Sequence, residues 1–157
     1  MSALVAYFSA TGTTARVAKN LAEAIGADLF EIAPEQPYSA ADLDWRDTNS
    51  RSSHEMDDES CRPAVVGGVE NMAAYDTVFV GFPIWWYVEP RIVDTFLEAY
   101  DFAGKTIVPF ATSGSSGLGK APQRMATLAP GATVLEGRML NGNPDAEELR
   151  AWAESIC

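Results

Sequence analysis

Cationic side chains are scarce in this sequence. Lys and Arg number 11 against 22 Asp and Glu, giving a formal charge of −11 and a pI near 4.4. That balance removes the basic footprint required to bind nucleic acid or to adhere to anionic lipid. It steers the protein instead towards a partner with a basic face without naming one, and leaves the oligomeric state open. Cysteine is nearly absent: Cys61 lies in a polar stretch and Cys157 at the last position, spaced for neither a zinc site nor a structural disulfide. The only histidine, His54, stands among Ser53, Glu55, Asp57 and Asp58, and a lone imidazole beside carboxylates reads as a solvated loop rather than a metal site. No apolar run reaches the roughly 18 residues of a membrane span, and no basic leader precedes the first apolar run. A cytoplasmic protein without membrane insertion is expected. Two phosphate-loop signatures are also missing, the GK[ST] ending of a nucleoside triphosphate loop and the three-glycine dinucleotide pattern.

What is present organises itself around residues 4–25. The apolar run LVAYF breaks into SATGTT and then into a helical pattern, so a strand ends, small residues turn the chain and a helix begins. Ser9, Thr11, Thr13 and Thr14 offer hydroxyl donors, and Gly12 lets the backbone turn so that free amides face one point. Such a loop seats an anion; the alternative is an ordinary helix cap, for which Ser and Thr need no ligand. No Lys or Arg lies inside the loop, and Arg16 comes only within the helix. Neutral donors suit a single terminal phosphate monoester better than a triphosphate.

The 157 residues suit one domain, 1–157, with one core. Val17, Leu21 and Ile25, with Ala18 and Ala22 beside them, make an apolar helical stripe that Gly26 closes. Residues 28–33 read as a second strand stopped by Pro34, completing a strand, helix, strand unit of parallel type. From 34 to 68 the composition turns polar, with Tyr38, Leu43, Trp45 and Met56 isolated, as in a long surface excursion holding one or two helical turns. A short helix over 71–75 and a strand over 76–81 come next, then FPIWWYVEP. Pro90 suits the first turn of a helix whose buried face is Ile92, Val93, Phe96, Leu97 and Tyr100. Residues 105–111 repeat the strand pattern before TSGSSGLG, 121–128 are helical, and 133–140 contain a fifth strand. Asn143 and Pro144 cap a last helix with Leu149, Trp152 and Ile156 inward, while Met125, Met139 and Trp152 read as core.

Five strands alternating with helices predict an α/β three-layer sandwich on a parallel sheet. The irregular loops SATGTT, FPIWWY and TSGSSGLG come after strands one, three and four, and so meet beyond the carboxyl ends of the strands, where such sheets bind ligands. The first wants a phosphate, the second offers a flat aromatic wall in Trp85, Trp86 and Tyr87, and the third offers backbone groups at glycines. A ligand with a phosphate at one end and a planar ring system at the other fits, and flavin mononucleotide (FMN) has that outline. The alternative for the aromatic loop is packing or an oligomer interface.

AYFS with ATGTT, then FVGFPIWWYVEPRIVDTFLE, then PFATSGSSGLG resembles the flavodoxin-like family, and in particular its short bacterial FMN-binding branch, over essentially the whole chain. The stretch around NSRSSHEMDDESCRP is similar to that branch as well. The resemblance implies the sheet order 2-1-3-4-5 and a flavin at the crevice by strands one and three, a placement general to that fold. It implies that Ser9, Thr11, Gly12, Thr13 and Thr14 hold the FMN phosphate, that Pro83, Ile84, Trp85 and Trp86 cover the ribityl chain and one flavin face, and that Thr112, Ser113, Gly114 and Gly119 line the rest. Here Ser9 stands where the family loop begins with Thr, Thr13 where it carries Asn, and Tyr87 where a small residue is frequent. The function implied is an electron carrier of flavodoxin type, with no catalytic acid or base. The competing expectations are an FMN-dependent NAD(P)H oxidoreductase acting on quinones or other small acceptors, and a flavodoxin-like binding module without redox chemistry.

Overall fold

The computed structural model describes residues 3–10, 12–44, 46–85, 88–112, 118–140 and 144–156. Its strands are β1 (Ala3–Tyr7), β2 (Asp28–Glu31), β3 (Thr77–Pro83), β4 (Thr106–Thr112), β5 (Thr133–Val134) and β6 (Arg138–Met139). Its α-helices are α1 (Thr13–Ile25), α2 (Arg51–Asp57), α3 (Arg91–Ala99), α4 (Ala121–Leu128) and α5 (Ala146–Ile156). The sheet order is β2-β1-β3-β4-β5, with β6 also paired to β4, and every ladder is parallel. This is the α/β architecture and the order that the sequence implies.

Alternation along the strands sorts side chains into two apolar layers. Leu4, Ala6, Phe8, Val78, Val80, Phe82, Ile107 and Ala111 pack with Ile92, Val93, Phe96 and Leu97 of α3 and Met125 of α4. Ala3, Val5, Tyr7, Phe79, Val108 and Phe110 face the other way, against Val17, Ala18 and Leu21 of α1 and Leu149 and Ala153 of α5. The sheet is thus covered on both faces, and the middle of β1, β3 and β4 has no free side chain to offer a ligand.

The fifth strand departs from the continuous run expected over 133–140. Thr133 and Leu135 donate their amides to Lys105 and Ile107 carbonyls at 2.9 and 3.0 Å, and Leu140 donates to Ala111 at 2.9 Å. Pro109 stands between those acceptors and has no N–H to give, so the partner strand breaks opposite it into β5 and β6. Gly137 fills the break at φ 76°, where an added Cβ would lie 2.1 Å from the Pro109 carbonyl oxygen.

Smaller differences have local causes. Pro90 precedes α3 rather than entering its first turn, and the helix ends at Ala99; Tyr100 leaves it, and its hydroxyl accepts the Val69 amide at 2.7 Å. The short helix expected over 71–75 is a single 3₁₀ turn, Met72–Ala74. Asn143 lies outside the described residues; at the start of α5 it is the Asp145 carboxylate that accepts the Glu148 amide, at 2.8 Å. Within α5, Leu149 and Ala153 are the buried pair, while Trp152 and Ile156 flank them half-buried. Met125 is fully buried, and Met139 is half-buried against the α3 and α4 layer.

The excursion over 34–68 leaves and rejoins the fold at one point. Pro34 and Val65 form an antiparallel bridge, flanked by Glu35 N–H to Ala64 at 2.9 Å and Val66 N–H to Ala33 at 2.7 Å. Its helix α2 is capped at the start by Ser50. At the end of α2, the buried Arg91 guanidinium donates to the carbonyls of Glu55, Met56 and Asp58 at 3.3, 2.9 and 3.2 Å. Arg91 thereby pairs the Met56 carbonyl at the helix end and adds a second donor to those of Glu55 and Asp58, which already accept the Asp58 and Cys61 amides.

Gly137→Ala forces both a left-handed backbone on alanine and a clash with Pro109. We expect a loss of about 3 kcal/mol in urea unfolding, from strain of this kind, whereas an alanine at exposed Gly67, where an added Cβ meets nothing within 4 Å, costs less.

Candidate functional site

The register of the three central strands brings the stems of the three loops to one edge. Tyr7 pairs with Gly81 and Pro83 with Thr112. The Phe8 amide donates to the Gly81 carbonyl at 2.9 Å and the Ile84 amide to the Thr112 carbonyl at 3.1 Å. Ser9, Ile84 and Thr112 therefore leave the sheet side by side.

In the first loop Gly12 is the N-cap of α1, in the left-handed region at φ 95° and ψ −13°, and no side chain among the described residues caps the helix. Ser9 does not cap α1: its Oγ instead accepts the Gly12 amide at 3.0 Å and closes the loop. The first intrahelical bond runs from Arg16 N–H to Gly12 C=O at 3.1 Å, which leaves the amides at the start of α1 without intrahelical acceptors. Thr13 is exposed at the helix start, and no acidic residue lies in the first turn. The positive end of the helix dipole is therefore unopposed. Thr14 turns inward: its hydroxyl meets that of Thr112 at 2.8 Å in a buried contact, tying the first loop to the end of β4.

The second loop places Pro83 and Ile84 half-buried at the end of β3, and Trp85 and Val88 exchange two backbone hydrogen bonds of 3.0 and 3.1 Å. The Trp85 ring meets Phe8 at 5.7 Å and Tyr38 at 5.4 Å, both edge-on. Phe8 and Tyr38 are themselves 5.6 Å apart. Trp85 is half-buried and committed to this cluster, and through it to the excursion. In the third loop Thr112 is buried and Gly119, at φ 57°, stands exposed just before α4. Thr11, Trp86, Ser113 and Gly114, also expected at the site, lie outside the described residues, as does Tyr87.

In sequence Tyr38 is an isolated apolar residue of the excursion, whereas the structure makes it a hinge pin. Arg51 lies 3.8 Å over its ring and pairs with Glu55 at 2.9 Å, and the Tyr38 hydroxyl donates to Glu55 at 2.5 Å. Burial first, and then the hydrogen bond to the Glu55 carboxylate, raise the Tyr38 hydroxyl well above its ordinary range, so it remains a proton donor. The readable signal was the Arg51 and Glu55 pair, spaced to face one side of a helix. A cavity of about 330 Å³ opens nearby, lined by Glu35, Arg51, Glu55, Cys61 and Arg62 among others, and none of the strand-end residues borders it. Burial, and then the Glu55 and Asp58 carboxylates, raise the Cys61 thiol, which keeps it protonated and unreactive. His54 is exposed on α2.

A family model described as flavodoxin matches residues 2–156 of the chain. The structure of a candidate flavoprotein from Bacteroides eggerthii is 52% identical, with a TM-score of 0.93 over 99% of this chain and 97% of that one. One from Bacteroides uniformis is likewise 52% identical, with a TM-score of 0.91 over 98% and 97%. A flavoprotein from Lactobacillus acidophilus, solved in complex with FMN, shares the fold at 20% identity and a TM-score of 0.71, over 97% of this chain and 98% of that one. No curated protein matches.

The buried hydroxyl pair gives a direct test of the link between the first and third loops. Thr14→Val and Thr112→Val each orphan a buried hydroxyl, and the double variant removes both. A double-mutant cycle in urea should return a coupling of about 1 kcal/mol; additive losses would show that the contact carries no energy.

Proposed function

The chain belongs to the flavodoxin family, and on that premise we propose that it binds FMN at the strand ends and carries electrons between protein partners. The observation that supports this best is the uncapped N-terminus of α1, set beside Thr112 and the Trp85 turn at one sheet edge. The donor set fits the group: amides of the first helical turn and the exposed Thr13 hydroxyl suit a phosphate dianion. An added Cβ at Gly12 would meet nothing within 4 Å, so glycine is there for its backbone conformation rather than for want of space. Thr11 extends the seat, while Pro83, Ile84, Trp85 and Trp86, with Thr112, Ser113, Gly114 and Gly119, wall the ring system.

FMN bound there supplies the redox chemistry, and the chain's own task is to anchor it, shield it and present it. SATGTT, FPIWWY and TSGSSGLG contain no carboxylic acid, imidazole or amine, which favours electron carriage over a reaction needing a protein acid or base. The formal charge of −11 suits partners with a basic docking face, whose encounter would slow as salt rises.

The purified protein, loaded with FMN, should be yellow, should be reduced stepwise by dithionite, and should oxidise NAD(P)H negligibly without a reductase. Appreciable NAD(P)H turnover by the loaded protein alone would replace the carrier reading with the oxidoreductase one, and failure to take up FMN would leave a binding module without redox chemistry. Thr13→Glu sets a carboxylate against the phosphate, and like charges brought together cost several kcal/mol. Titration calorimetry should then show FMN affinity falling about 100-fold or more; unchanged affinity would refute the phosphate seat.

A further inference from the structure

Just beyond the Trp85 turn lie two carboxylates that the cofactor site does not use. Glu89 comes directly after Val88, Asp94 sits on α3, and both are 0% exposed. Their cationic surround is uneven. Arg124 of α4 reaches both oxygens of Glu89 through one N–H, at 3.2 and 3.4 Å, and touches Asp94 Oδ2 with another nitrogen at 3.3 Å. Arg91 of α3 lies 3.7 Å from the same Oδ2, and Arg62 of the excursion 4.0 Å from it. Arg62 is itself held by Glu98 of α3, and Arg124 also meets Glu59 of the excursion at 3.5 Å. Asp94 thus faces three guanidinium groups and Glu89 one.

Asp94 Oδ1 is buried with no hydrogen-bond partner among the described residues. A buried, wholly unsatisfied carboxylate oxygen is costly, and two ionised carboxylates side by side without water are more so. One proton between them removes both costs. Charge belongs on Asp94, beside three arginines, and the proton on Glu89. We propose that Glu89 is stored as the neutral acid, its O–H directed at Asp94 Oδ1, and that this proton is a positioning element that pins the stem of the Trp85 turn to α3 and α4. Burial, then the hydrogen bond and the negative charge of Asp94, push the Glu89 carboxyl up to about 9. Loss of the proton leaves a second negative charge in the dry cluster, and the turn that ends at Val88 must move to solvate it.

The bearing on FMN rests on the function proposed above, so the test reads the proton with and without the cofactor. In the full chain without FMN, the carbon-13 carboxyl signal of Glu89 is tracked from pH 4 to 10.5 together with the backbone amides of Trp85 and Val88. The expected result is no step through the ordinary carboxylate range and one step near pH 9, shared by the two amides. Glu89→Gln keeps an N–H for Asp94 and an oxygen for Arg124, so its Trp85 and Val88 amides should stay flat. Glu89→Ala should disturb them at every pH, which separates lost packing from a lost proton. An acid whose folded-state pKa is raised gives stability that is complete below its unfolded value of about 4.5 and is lost as pH rises through about 9. Wild type should therefore lose stability relative to Glu89→Gln across that window. FMN affinity of wild type should fall several-fold from pH 8 to 10, with about tenfold as the ceiling for one proton of pKa about 9, and that of Glu89→Gln less than twofold. A Glu89 carboxyl that titrates between pH 4 and 6, or an alkaline amide step that persists in Glu89→Gln, overturns the proposal. A carboxyl step near pH 9 without FMN uptake at any pH supports the stored proton and refutes the flavin reading instead.

Discussion

Everything in this molecule depends on a parallel sheet that is apolar on both faces. With α1 and α5 packed on one side and α3 and α4 on the other, strand residues are spent on the two layers, and only the loop at the end of each strand is free for chemistry. Register then decides which loops meet. Because Tyr7 pairs with Gly81 and Pro83 with Thr112, the first, second and third loops leave the sheet together, and the Thr14 and Thr112 hydroxyls fix that meeting with a buried contact.

Loops at the end of a rigid sheet still have to be held, and two unlike devices hold the second one. On its sheet side Trp85 is wedged edge-on between Phe8 and Tyr38, and Tyr38 in turn is clamped by Arg51 and Glu55 of α2. On its far side Glu89 and Asp94 bind it to Arg124 of α4. The excursion takes part in both, since Arg91 donates to the end of α2 while lying against Asp94. The long polar insertion is thereby a brace for the aromatic turn. Apolar contact tolerates small shifts, whereas a dry charge cluster has one arrangement, and a turn at the sheet edge is fixed in place by having both.

The positions of α1, α3, α4 and α5 and the convergence of the loops were legible in sequence because each rests on local patterns: continuous apolar runs for covered strands, four-residue stripes for helices, and small residues after strands; the sheet order was legible only through the family resemblance. The features that were not legible depend on partners distant in the chain. In TVLEGRML only Gly137 hints at a break; its cause is Pro109 in the neighbouring strand and its missing N–H. Tyr38 looks isolated until the fold brings Phe8 and Trp85 to it. The charges of VEPRIVD interrupt a helix stripe, yet all three are buried: Glu89 and Asp94 meet Arg124 of α4, Asp94 also meets Arg62 of the excursion, and Arg91 lies against Asp94 and the carbonyls at the end of α2. At the site itself, the hydroxyls of the first loop read in sequence as equivalent donors, and the structure divides their work. Ser9 closes the loop, Thr14 ties it to β4, and Thr13 is left facing solvent at the start of the helix.

That division bears on how an acidic protein can hold a phosphate at all. A chain with a formal charge of −11 repels an anion at long range, and the first loop contains no cation to offset it. Attraction must therefore be short-ranged, from amides whose acceptors the helix start does not supply and from a dipole unopposed by any first-turn acid. Such a seat works only if nothing in the protein satisfies those amides first. A serine that capped α1 would occupy those amides itself; here the Ser9 Oγ is engaged by the Gly12 amide instead, with Gly12 in a left-handed conformation that other residues resist. Gly12, with Ser9 engaged at its amide, thus leaves the start of α1 without a side-chain cap among the described residues, and Thr14 holds that start against Thr112 at the end of β4.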